Sequence, residues 1–214
     1  MGIDLSRYRH VVWDWNGTLI DDRRVCVEIL NGSLRAYGLD QISEERYLAG
    51  FDFPVKDFYQ RLGFDWERIS YDKVAAEWAE QYEGRQFECE LASKAREVLE
   101  QVQRLGLGQS VLSAYHEDKL IEAVRYYGLT RFFVKVLGQR DFYAHSKVQR
   151  GRELIEELGL RADKVLLVGD TVHDHEVAEA LGCDCVLVAD GHQFKDRLLG
   201  CGREVVDSIS SIRF

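Results

Sequence analysis

The sequence predicts an α/β protein, a doubly wound parallel sheet carrying a small helical lobe inserted after its first strand. Short runs apolar on both faces recur along the chain, amphipathic helical patterns ending at Gly separate them, and one long interval contains helical patterns only. The strand candidates are HVVWDW (10–15), QSVLSAY (109–115), FFVKVLG (132–138), KVLLVGD (164–170) and CDCVLVAD (183–190). Runs without a polar face suit central parallel strands, which are covered on both sides.

The pair Asn16-Gly17 lies just after the first run and is a strong hairpin signal by itself. Beyond Thr18, however, the chain enters a long helical pattern opening on Asp21 and Asp22, so the pair reads as a strand-to-loop exit. From about residue 20 to residue 88 there are four helical patterns. The first holds Val25, Ile29, Leu34 and Tyr37, the second spans about 43–50, the third starts at Pro54, and the fourth holds Val74, Trp78 and Tyr82. The expected division is an α/β unit of residues 1–19 and 89–214 and a helical unit of residues 20–88. Past the helical unit, SKAREVLEQVQRLG (93–106) presents Val98, Leu99, Val102 and Leu105 on one face, with Gly106 as C-terminal cap. EDKLIEAVRYYG, GRELIEELG and DHEVAEALG repeat that scheme.

The 214 residues carry a net charge of −9, which opposes nonspecific attraction to nucleic acid or to an anionic membrane surface. A polar N-terminus and the lack of a long apolar run set the expectation of a cytoplasmic chain with neither partner, and leave the oligomeric state open. Five scattered Cys (26, 89, 183, 185, 201) argue against zinc or a disulfide framework, and Cys183 and Cys185 read as buried strand residues.

Asp14 ends the first strand and Asp170 another, with Asp174 one helical turn further on. Carboxylates converging in a cleft repel unless a cation neutralises them, and hard oxygen donors suit Mg²⁺. Asp170 or Thr171 equally reads as a cap of the next helix. Lys147 falls at the first turn of a helix, where the macrodipole disfavours a cation, so it either meets an anion or is solvated. Ser113 offers a hydroxyl at a third strand exit, or a local cap.

In this order the motifs resemble the haloacid dehalogenase (HAD) superfamily, in its phosphoglycolate-phosphatase-like branch. VVWDWNGTL resembles the first motif, hhhDxDGT(L/V), VLSAY the second, Lys147 the third, and Gly169 through Asp174 the fourth, GDxxxD. The resemblance implies a Rossmann-like core with a small C1-type cap, and a phosphatase acting on a small phosphorylated metabolite through an aspartyl-phosphate. Asp14 is then the nucleophile. Mg²⁺ would be held by Asp14, the main-chain carbonyl of Asn16, Asp170 and, directly or through water, Asp174. Thr18, Ser113, the neighbouring Ala114 and Lys147 would hold the phosphate.

One position departs from the pattern: the usual second Asp is Asn16, and an amide exchanges no proton at neutral pH. A relay through His116, His173 or His175, a leaving group that needs little protonation, and partial deamidation of Asn16 are three ways round this. A catalytically weak or silent phosphate-binding protein is the alternative, and a phospho-acceptor receiver a more remote one. Arg23, Arg24 and Lys56 are candidates to meet a second anionic group of the substrate, though each also reads as a solvated helix charge. Phe51, Phe53, Phe58 and Tyr59 read as the core of the helical lobe.

Overall fold

The structure is a computed structural model that describes residues 5–140 and 147–212, so residues 1–4, 141–146 and 213–214 of the expected α/β unit lie outside it. Six strands form one parallel sheet: β1 (His10–Trp13), β4 (Gly108–His116), β5 (Lys135–Gln139), β6 (Val165–Gly169), β7 (Asp184–Val188) and β8 (Glu204–Val206). Their spatial order is β5-β4-β1-β6-β7-β8, so the chain runs outward in both directions from the first strand. The two central partners of β1 are β4 and β6, both parallel to it, which settles Asn16-Gly17 against a hairpin.

Strand periodicity divides the core into two layers. Along β1, Val11 and Trp13 enter one apolar cluster and Val12 the other. Along β6, Leu166 and Val168 join the first while Val165 and Leu167 join the second. Helices α5 (Ala95–Arg104) and α6 (Glu117–Tyr126) cover the first face through Leu99, Val102 and Leu120. Helices α7 (Lys147–Leu158), α8 (Val172–Leu181) and the short α9 (Lys195–Leu199) cover the second through Leu154, Val177 and Leu198.

The helical interval leaves and re-enters the sheet through a two-stranded antiparallel neck, β2 (Ile20–Asp21) paired with β3 (Glu90–Leu91). Between them lie α1 (Arg23–Ala36), α2 (Glu44–Gly50), α3 (Val55–Arg61) and α4 (Tyr71–Arg85). Ser43 caps α2 by accepting from Arg46 N at 3.2 Å, ahead of Glu44 and Glu45, and Ser70 caps α4 by accepting from Lys73 N at 3.3 Å. The buried faces of α1 and α4 belong to the same apolar cluster as the first face of the sheet.

Three details differ from expectation. Leu105 lies past the end of α5 and is exposed, because the helix stops at Arg104 and Gly106 turns the chain at φ 75°. The run at 132–138 is a strand only from Lys135, since Thr130–Phe132 close a 3₁₀ turn that buries Phe132. Edge strand β8, only three residues long, carried too little pattern to be seen in the sequence.

Strand β4 is irregular where it reaches the site. Its register against β5 runs from Leu112↔Leu137 to His116↔Gln139, so three β4 residues face Gly138 alone. This bulge re-aims Ser113 and Ala114, as bulges beside ligand sites do. Gly138 makes it feasible: a Cβ there would lie 2.4 Å from Tyr115 O and 2.7 Å from Glu117 N, both main-chain atoms. Gly138→Ala is therefore expected to cost about 1–3 kcal/mol, measured as a lowered urea midpoint. An unchanged midpoint would show that the bulge is not held by this contact.

Candidate active site

The four central strands deliver the site. Asp14 follows β1, Ser113 lies in the β4 bulge, Asp170 follows β6, Gly191 and His192 follow β7, and Lys147 opens α7. Convergence at the carboxyl edge of such a sheet is where this architecture places ligands.

Asp14, Asp170 and Asp174 are buried, with carboxylate oxygens within 4.8 Å of one another. Lys147 Nζ, itself buried, donates to Asp14 Oδ1 and to Asp174 Oδ1, both at 2.6 Å. The anion that a lysine at this helix start requires is thus found twice. Asp174 is the most heavily bonded of the three, its Oδ2 accepting from Asp170 N (3.2 Å), Thr171 N (3.1 Å) and Thr171 Oγ1 (2.8 Å). Asp170 caps nothing. It accepts from Thr18 Oγ1 at 3.1 Å and from His192 N at 2.7 Å, and so belongs to the cluster. Thr18 is wholly buried behind Asp170, and its hydroxyl orients that carboxylate. Among the three acids Asp14 is the most accessible, at 7% exposure against 0% for Asp170 and 1% for Asp174.

Burial dominates the proton affinities. It pushes the Asp14 carboxyl up to about 8 against the opposing pull of Lys147, and Asp170 up to about 6. For Asp174 burial acts in the same direction, but the charge and hydrogen bond of Lys147 outweigh it and hold the group below its ordinary value. One lysine therefore leaves three buried carboxylates undercompensated. The all-oxygen donor set fits a divalent hard cation.

Asn16 looks away from this cluster into a second one. Its Nδ2 donates to Asp22 Oδ2 at 2.8 Å and to Tyr82 OH at 2.7 Å, while its Oδ1 accepts from Ser113 Oγ at 3.4 Å. Asp22 is a buried hub. Besides Asn16 it receives Tyr82 OH (2.9 Å), Cys26 Sγ (3.3 Å), Gly17 N (3.0 Å) and His192 Nε2 (3.1 Å). Burial alone would raise the Asp22 carboxyl, but His192 and these donors hold it near 2. The His192 imidazole, penalised by burial, is lifted to about 9 by Asp22. The His192 ring is fixed on its other side by Tyr47 OH at 3.0 Å from Nδ1. Gly17, at φ 73°, lets the loop pass between the clusters, since a Cβ there would sit 2.3 Å from Asp170 Oδ2 and 2.5 Å from His192 Cδ2.

Above both clusters lies a cavity of about 250 Å³ between sheet edge and helical lobe. Its floor includes Asp14, Asn16, Ser113, Ala114, Lys147, Asp170 and Asp174. All of the expected site residues except Thr18 line it. Of the three histidines considered for a proton relay, only His173 does, stacked on Phe53 at 4.5 Å and held below its ordinary value chiefly by burial. His116 is exposed at the start of α6, and His175 accepts from Arg203 Nε at 3.2 Å, both away from the cavity.

The cationic candidates of the lobe do not reach the cavity. Arg23 donates to the carbonyls of Asp190 and Gly191 and pairs with Glu44, Arg24 pairs with Glu28, and Lys56 sits over the Tyr71 ring. Of the residues expected as lobe core, Phe51, Phe58 and Tyr59 pack there, whereas Phe53 lies against Phe51 and His173 instead; all four line the cavity. Asp22 and His192 were missed. The latter stands at a fourth strand exit, a position that could have singled it out.

Comparison with known proteins agrees with the geometry. The family model described as haloacid dehalogenase-like hydrolase matches residues 11–188. A 5'-nucleotidase of Pseudomonas aeruginosa is 28% identical over 201 residues, covering 90% of this chain and 87% of its own. A phosphoglycolate phosphatase of Rhodobacter capsulatus is 25% identical over 192 residues, covering 86% and 85%. The crystal structure of a predicted phosphatase from Clostridium acetobutylicum superposes with a TM-score of 0.82 at 20% identity, covering 95% of each chain. With the strand order, the acidic strand tips and a family match over most of its length, the chain belongs to the haloacid dehalogenase-like hydrolases.

Proposed function

We propose that this protein is a Mg²⁺-dependent phosphatase that hydrolyses a small phosphorylated metabolite through a phosphorylated Asp14. The observation that carries the reading is the convergence of Asp14, Asp170 and Asp174 with Lys147 beneath one cavity. The relatives named 5'-nucleotidase and phosphoglycolate phosphatase support the same reaction class.

Asp14, the most accessible carboxylate, attacks phosphorus. The P–O ester bond breaks, the alcohol oxygen leaves, and water then cleaves the acyl phosphate to restore Asp14. Lys147 and the Ser113 hydroxyl, with the main chain around Ala114, hold the phosphoryl oxygens. Thr18 holds Asp170, and Thr171 holds Asp174. Asp14, Asp170 and the Asn16 carbonyl would bind the metal, with Asp174 directly or through water. A divalent cation there cancels the repulsion between an anionic nucleophile and an anionic substrate, and positioning with electrostatics carries most of such a transfer.

Asn16 delivers no proton to the leaving oxygen. It is held as a donor by Asp22, so the hub needs an amide at this position. General acid help is worth about 10²–10⁴ in rate. Its loss favours leaving groups that depart unprotonated and gives the silent phosphate-binding protein its one supporting observation.

Hydrolysis of acetyl phosphate with Mg²⁺ is expected, and Asp14→Asn or EDTA should abolish it. Activity surviving both would overturn the reading, and phosphate binding without turnover would favour the silent protein. Because a cation must displace protons from Asp14 and Asp170, whose carboxyls titrate near 8 and 6, Mg²⁺ affinity should rise with pH from 6 to 8 with proton release, checked by calorimetry in two buffers. Affinity independent of pH across that window contradicts it. Asn16→Asp would set two carboxylates at hydrogen-bond distance in a buried site. A loss of about 2 kcal/mol, or roughly 4–8 °C in Tm, is expected, with recovery in Asn16→Asp/Asp22→Asn. A single variant as stable as the parent would show that Asp22 does not dictate the amide.

A further inference from the structure

The catalytic floor says nothing about what the phosphate is attached to; the walls do. Apart from Asp22, which is closed within its own hub, no residue that the helical lobe gives to the cavity is charged. Phe51, Phe53, Val55, Phe58, Tyr71 and Trp78 make up much of that wall. Among the described residues the lining cations are both taken: Lys147 is bonded to Asp14 and Asp174, and His192 is held between Asp22 and Tyr47. A second phosphate or a carboxylate seated against this wall would be desolvated without a partner, at a cost of several kcal/mol. Flat apolar groups meet the opposite conditions. Aromatic pairs contribute about 0.5–1.5 kcal/mol beyond the area they bury. The rings are already oriented by stacking, Phe53 on His173 with centroids 4.5 Å apart and Trp78 on Tyr82 at 5.0 Å with planes 8° apart. A cavity of about 150 Å³ suffices for benzene, so one of about 250 Å³ takes a ring together with the phosphoryl group beside Asp14.

From the wall and its lack of a free cation we infer that the substrate is a phosphate monoester whose remainder is an uncharged aromatic ring, held by the lobe's aromatic residues. This rests on the phosphatase reading above and narrows it: a carboxylate-bearing ester such as phosphoglycolate is disfavoured.

The test compares benzyl phosphate with phosphoglycolate, both esters of unactivated alcohols, and uses acetyl phosphate as a reference that engages only the floor. With Mg²⁺, kcat/KM for benzyl phosphate is expected to exceed that for phosphoglycolate by about 2–10-fold, one aromatic contact's worth of selectivity. In Phe53→Ala and in the milder Phe53→Leu and Trp78→Leu, kcat/KM for benzyl phosphate relative to acetyl phosphate should fall, by up to about 10-fold for the alanine variant. Far-ultraviolet circular dichroism and Tm identify any variant that fails to fold. If acetyl phosphate is hydrolysed but benzyl phosphate is not, or phosphoglycolate is preferred to it, or the ratio is unmoved in folded variants, this inference falls and the phosphatase reading stands. If none of the three compounds is hydrolysed, both fall.

Discussion

The site depends on one electrostatic constraint: three buried carboxylates at the tips of adjacent strands share a single lysine. Removing charge from water is costly, and the cost is met only where opposite charge and hydrogen-bond donors are fixed in place. Almost every local feature at the sheet edge serves that end. Thr18 and the His192 main chain hold Asp170, Thr171 and two main-chain N–H groups hold Asp174, and Lys147 ties Asp174 to Asp14. Asp14 has the fewest partners and the most access of the three.

A second constraint lies behind the first. Asp22 gathers five donors in a buried pocket, and His192 supplies the charge that keeps it ionised. Position 16 lies between the clusters, and its amide faces the hub. The carboxylate absent from residue 16 therefore has a counterpart at residue 22, which sits between neck strand β2 and helix α1, where the helical lobe begins. Through Tyr82 of α4 and Tyr47 of α2 the same hub ties lobe to sheet, so the chemistry of residue 16 and the seating of the lobe are linked.

The sheet and the acidic site were legible in the sequence because their signals are local. Each central strand is a short apolar run, and Asp14, Ser113 and Asp170 fall at or near its end, so the alternation of strand and helix alone brings them to one edge. The hub was not legible, because Asp22 and His192 are 170 positions apart and meet only after folding. The lobe's wall was legible in part. Phe58 and Tyr59 of α3 pack in the core as their helical pattern implies, and their further role in lining the cavity follows only from the placement of α3 over the sheet, while Phe53 precedes the helix and carries no periodic signal. Arg24 meets Glu28 at an i,i+4 spacing that the sequence itself offers, whereas the partners of Arg23 and Lys56 come together only in the fold.

The most direct measurement is mass spectrometry of the protein acid-quenched within a turnover of acetyl phosphate and Mg²⁺, combined with peptide mapping. One phosphoryl group on the peptide containing Asp14, absent without the metal, is the expected result. A phosphoryl group on any other residue, or turnover with Asp14 unmodified at every quench time, would contradict the role given to the cluster.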